Sequence, residues 1–142
     1  MNDTYKIREE TIPIATTGRR FKNFDEARQW AKSNIIGTYI NRNTGEELNI
    51  SKTAIDKYLS SSAVLKSIDK DAHLSVITIL PTLIISAVLK ETKQDRENNR
   101  DIKAIRRYYN FIVYENTTFT VKITVKAYPF GNNKAYSYEV MK

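Results

Sequence analysis

The side chains best placed by type and spacing to do chemistry are His73, the lysines Lys122 and Lys126, and a dense set of C-terminal tyrosines. His73 is the one histidine of the chain. With an unperturbed pKa of ~6.5 it is a candidate general acid or base. Its plain alternative is a helix histidine hydrogen-bonded to a neighbouring segment. Lys122 and Lys126 fall in the run Phe119 to Tyr128, which alternates strictly. Phe119, Val121, Ile123, Val125 and Ala127 point one way, and Thr120, Lys122, Thr124, Lys126 and Tyr128 the other. Two lysines flanked by threonines on one strand face suit phosphate oxygens, or form a solvated strand face. Tyr108, Tyr114, Tyr128, Tyr136 and Tyr138 can stack bases or donate to phosphate, and are also ordinary strand formers. Arg106 and Arg107 are adjacent, so only one of them shares a face with Lys122, and strand register selects which.

Other chemistries are excluded by what the chain lacks. It has no cysteine, hence no disulfide and no thiolate metal site, and with a single histidine no metal site and no cofactor is expected. It has no glycine-rich phosphate loop and no nucleophilic triad order. The formal net charge of +7 is compatible with a polyanionic partner. Its excess is concentrated at the C-terminus, where Lys122, Lys126, Lys134 and Lys142 face only Glu139. The most apolar stretch, Leu74 to Leu89, is broken by polar residues and Pro81 and is shorter than a membrane span, so no membrane association is expected. No secretory signal is visible at the start. A cytoplasmic product, or a piece cut from a larger chain, is the expectation.

The elements that must position these residues follow from periodicity and punctuation. Residues 1–20 read as a flexible N-terminal arm and 21–142 as a single domain. Asn23 or Asp25 caps a helix through Glu26 to Lys32, anchored by Trp30. Gly37 to Asn41 and Glu46 to Ile50 flank a turn containing Gly45 and form a short hairpin. Ser51 caps a helix from Lys52 to Leu59, and a second helical block runs from about Ile68 to Leu89 with a break at Pro81. Lys90 to Lys103 is charged throughout most of its length and reads as a solvated loop or frayed helix end. Strands then run from Ala104 to Tyr114, Phe119 to Tyr128 and Lys134 to Met141. The expected fold is α+β, with N-terminal helices and the short hairpin packed on a C-terminal antiparallel β-meander. Val121, Ile123, Val125, Leu74, Ile77, Ile84 and Val88 should be nearly inaccessible.

The order hairpin, Ile50-Ser-Lys52, His73-Leu74, Leu80-Pro81, Ala87-Val88-Leu89, Phe119 to Val125 and Ala135-Tyr-Ser-Tyr-Glu139 resembles the third class of large polyvalent protein-associated domains over residues 37–141. Those are small α+β domains of large phage and conjugative-element proteins. The layout is also similar to nucleases of the barnase/EndoU/colicin/RelE group, whose sheet face holds RNA phosphate and assists attack by the 2′-hydroxyl without a metal. That likeness implies a catalytic role for His73, Lys122 and Tyr138 in a toxin-like ribonuclease. RNA would be bound by Arg106 or Arg107 with Lys126, Thr120 and Thr124. The departure is that no complete barnase-like Glu/Arg/His set can be read off. The alternative is a non-catalytic module that binds nucleic acid or a protein partner, such as an immunity protein or a larger host polypeptide.

Overall fold

The structure, a computed structural model, describes residues 14–15, 21–97, 101–128 and 133–142. In chain order the elements are β1 (Ile14–Ala15), α1 (Phe24–Asn34), β2 (Gly37–Ile40), β3 (Glu47–Ile50), α2 (Lys52–Tyr58) and α3 (Ser61–Lys66). They continue with α4 (Lys70–Val76), α5 (Leu80–Ser86), β4 (Val88–Glu97), β5 (Asp101–Tyr114), β6 (Thr117–Ala127) and β7 (Asn133–Met141). The strands form one sheet in the order β1-β5-β6-β7-β3-β2, with β4 also paired to β5. All pairings are antiparallel except β1 on β5 and β3 on β7. This is the expected α+β arrangement of helices and hairpin packed on a meander.

The helices start where short polar side chains can accept from free backbone N–H groups. Asn23, Ser51, Ser60 and Asp69 each accept the N–H three residues on, while α5 begins with Pro81 near its start, where a missing N–H costs nothing. Strands β5 and β6 are joined by Glu115 and Asn116, both at positive φ (49° and 66°), the left-handed pair that a two-residue hairpin turn requires.

The helices cover one face of the sheet, the one carrying the alternate apolar residues of β6. Val121, Ile123 and Val125 are buried with Tyr58, Val76, Leu83, Ile84 and Tyr108 in a single core. Each such aliphatic side chain contributes roughly 1.5–3 kcal/mol by leaving water. Thr120, Lys122, Thr124 and Lys126 lie on the opposite, open face and are half-buried. Ile77 and Ile84 are buried as expected, whereas Leu74 and Val88 are only half-buried. Val88 is paired with Tyr109 at the start of β4 and does not end a helix.

Two expectations need correction. The expected helical block is two helices separated ahead of Pro81, as its break required, but it stops at Ser86 rather than Leu89, and an additional helix, Ser61–Lys66, precedes it where the hydroxyl run was read as a terminator. Much of the charged segment after Leu89 is strand rather than loop, since β4 runs to Glu97 against β5, which itself begins at Asp101. Residues 90–94 of this strand are exposed, so no apolar period marks it; charges on an edge strand also keep it from pairing with other chains. Ile14–Ala15 adds to β5 beside Ile112 and Val113; the rest of the expected N-terminal arm, 1–13 and 16–20, lies outside the described residues. No helix among the described residues is long and apolar enough to cross a membrane.

Candidate functional site

The sequence-predicted residues fall on two sides of the sheet. His73 lies in α4 against the covered face, fully inaccessible. Ser67 Oγ accepts the Val140 N–H at 2.9 Å and so directs its own proton to His73 Nδ1 at 2.6 Å. The ring is thereby the Nε2–H tautomer, and that N–H donates to the carbonyl of Tyr58 at 2.8 Å. Burial pushes the imidazole below its ordinary pKa against the opposing pull of the Tyr58 carbonyl and the Glu139 charge, keeping it neutral. Tyr138 stacks on it with ring centroids 4.3 Å apart, and the Tyr138 hydroxyl donates to the His73 carbonyl at 2.7 Å. Tyr58 packs against Tyr138 and donates its own hydroxyl to the Ala135 carbonyl. Every polar atom of this cluster is thus occupied in holding α2, α4 and β7 together.

Tyr138 was expected on the face of Lys122, and it is on the other one. The reason is a bulge in β7: Thr124 pairs with Ser137 and Val125 with Ala135, leaving Tyr136 without a partner on β6. One extra residue reverses the alternation, so Ala135, Tyr138 and Val140 all face the core. His73 and Tyr138 are together, and Lys122 is separated from both hydroxyl and imidazole by the sheet.

Register also sorts the arginines. Arg107 pairs with Thr124 and shares the open face with Lys122, where its guanidinium lies 3.8 Å from Glu91. Arg106 turns to the covered face and pairs with Glu46. Tyr108 donates to the same carboxylate at 2.9 Å. Partial burial alone would raise the Glu46 carboxyl, but the hydrogen bonds from Arg106 and Tyr108 hold it below its ordinary value. Arg106 therefore ties β5 to the β2–β3 hairpin and takes no part in an open-face site.

On the open face the structure assembles a site that only partly uses the expected residues. A cavity of about 450 Å³ opens between the α2–α3 junction and strands β6 and β7. Its cations are Lys57, Lys66 and Lys122, its aliphatic hydroxyls Ser60, Ser62, Thr124 and Ser137, and its one carboxylate Glu139. Tyr138 borders the wall, but is only 3% exposed. Lys122 Nζ is 3.4 Å from Glu139, a partly solvated pair. Tyr136, pushed out by the bulge, lies beneath two ammonium groups, Lys126 at 3.6 Å and Lys57 at 4.7 Å from its ring centroid. Cation–π attraction of about 0.5–1 kcal/mol each holds these long side chains around the mouth. Three lysines against one carboxylate leave an excess of positive charge in a concave, hydroxyl-lined space, an arrangement suited to a phosphate or another oxyanion.

Lys57 and Lys66 did not stand out as site residues in the sequence, whereas Tyr136 was one of the five C-terminal tyrosines that did. The available signal was the run of hydroxyls at residues 60–62 between two lysines, which reads equally well as a helix terminator. Thr120, paired with Phe111 and Met141, lies on the same face but not among the cavity-lining residues.

A protein-family model described as large polyvalent protein-associated domain 3 matches residues 19–136. The match takes in α1 to the first part of β7 and includes Lys57, Lys66, Lys122 and Tyr136. No curated protein and no solved structure matches the chain.

Proposed function

Starting from the fact that this chain belongs to the large polyvalent protein-associated domain 3 family, we propose that it is a phosphate-binding accessory module that holds nucleic acid for a larger phage or conjugative-element polypeptide. The observation that carries this reading is the cavity in which Lys57, Lys66 and Lys122 converge with four serine and threonine hydroxyls. Lysine ammoniums supply long-range attraction for a polyanion, and the hydroxyls supply short directional donors to phosphate oxygen. Lys126 and Arg107, on the same sheet face, extend the basic track along the open side.

Binding is favoured over RNA cleavage by the setting of the two groups that cleavage would need. A general acid or base works at a hydrogen-bond distance of ~3 Å or through one water. His73 has both ring nitrogens engaged inside the core, and Tyr138 spends its hydroxyl on a backbone carbonyl. Neither is available to a substrate held by Lys122.

The test is binding of a short fluorescent RNA followed by anisotropy over a series of salt concentrations. The affinity should fall with salt, with a slope of ~0.7 per phosphate contact on a single strand. Replacing Lys57, Lys66 and Lys122 together with Gln should weaken binding and flatten the slope by about two. An unchanged slope in the folded triple variant would exclude the cavity as the binding site.

A further inference from the structure

The open face carries an aromatic pair that the phosphate site does not use. Phe111 is 38% exposed near the C-terminal end of β5. Tyr109 is two residues away on the same face, with its hydroxyl anchored on Glu91 at 2.9 Å. Directly across the strands, Tyr109 faces Lys122, and Lys122 faces Glu139 at the cavity. Phe111 faces Thr120 in the next row. Strands are spaced ~4.8 Å apart and diagonal neighbours ~7–8 Å, so the two rings stand immediately beside the lysine on the side away from the cavity.

We infer that the partner is single-stranded nucleic acid, with a base stacked on Phe111 and steadied by Tyr109 while the adjoining phosphate passes Lys122 into the cavity. This rests on the phosphate-binding reading above and adds the base to it. The charge next to the aromatic pair selects the occupant: a purely apolar partner would meet Lys122, Arg107 and Glu91 around the rings, whereas a nucleotide presents a flat π-face and an anion about one side chain apart. Base stacking on exposed aromatics of a sheet is sequence-tolerant, since every base has a π-face. Paired bases in a duplex keep their faces covered and cannot reach Phe111. RNA and DNA share the base and the phosphate, so the geometry serves both.

The experiment compares four probes on the full chain: oligouridine, oligothymidine, a duplex of the same length, and inorganic polyphosphate of similar charge. Phe111→Ala should lower affinity for both single strands by about tenfold and leave polyphosphate binding unchanged, with Phe111→Tyr restoring the single-strand affinity. Phe111→Leu keeps apolar area without a ring and should behave as Ala does. Single-strand binding indifferent to Phe111→Ala, or rescued as well by Leu as by Tyr, would overturn the stacking inference. So would self-association abolished by Phe111→Ala without an effect on the oligonucleotides, which would assign the face to a second copy. Failure of polyphosphate to bind the parent would instead sink the phosphate reading itself. Comparing the two single strands shows whether the 2′-hydroxyl contributes, and tighter duplex binding that ignores Phe111 would also overturn the inference.

Discussion

Replacing His73 with Ala should cost roughly 3–5 kcal/mol of stability and nothing in phosphate recognition by the folded protein. The magnitude comes from three losses. The Tyr58 carbonyl lies in the last turn of α2, where carbonyls lack helical partners, and it receives the His73 Nε2–H. Leaving it unsatisfied in the core costs ~1–3 kcal/mol. The stacked contact with Tyr138 is worth ~0.5–1.5 kcal/mol beyond its buried area. Removing the ring also leaves a void among α2, α4 and β7, with a cost on the scale of other large-to-small core changes, ~2–5 kcal/mol, partly overlapping the first two. Against a total of ~5–15 kcal/mol for a domain of this size, such a loss is easily read. Urea unfolding followed by circular dichroism measures it, and the folded fraction at low temperature is then titrated with RNA. A variant as stable as the parent that had lost RNA binding or processing would refute the structural assignment of His73 and return it to the site.

Four further outcomes follow from the same geometry. Because burial depresses the His73 pKa, the unfolded chain takes up the proton first as pH falls; stability should be full above ~6.5 and decline below it, a slope visible in urea midpoints between about pH 6.5 and 5 and absent in His73→Ala. Tyr138→Phe removes one donor to a buried carbonyl and should destabilise by ~1–3 kcal/mol, again with RNA affinity unchanged in anisotropy. Glu139→Gln removes the cavity's one carboxylate and frees Lys122, so RNA affinity at low salt should rise a few-fold; a fall would mean that Glu139 receives the ligand. RNA incubated with the protein without divalent metal should remain intact, and cleavage that disappears in Lys122→Ala would restore the nuclease reading.

Strict alternation made β6 legible, because a central strand with one buried face has little freedom of register, and its apolar residues are where the pattern puts them. The same logic failed one strand later. The bulge at Tyr136 carries no glycine or proline to announce it, and it turns Tyr138 inward and Tyr136 outward. Strand β4 was hidden for a different reason: its residues 90–94 are exposed and need not be apolar, so a charged edge strand looks like a loop. Lys122 was identifiable from its own strand, whereas Lys57 and Lys66 reach it from two short helices that only tertiary packing places beside β7. The choice between Arg106 and Arg107 waited on register against Thr124, a pairing that no local pattern encodes.

The most direct measurement is an NMR titration of the isotopically labelled chain with inorganic polyphosphate at low salt. Side-chain ammonium and backbone amide signals of Lys57, Lys66, Lys122 and Ser137 should shift together and saturate with one affinity, while His73 and Tyr58 stay in place. Shifts spread evenly over exposed lysines such as Lys52 and Lys93, or centred on another face, would contradict a phosphate site at this cavity.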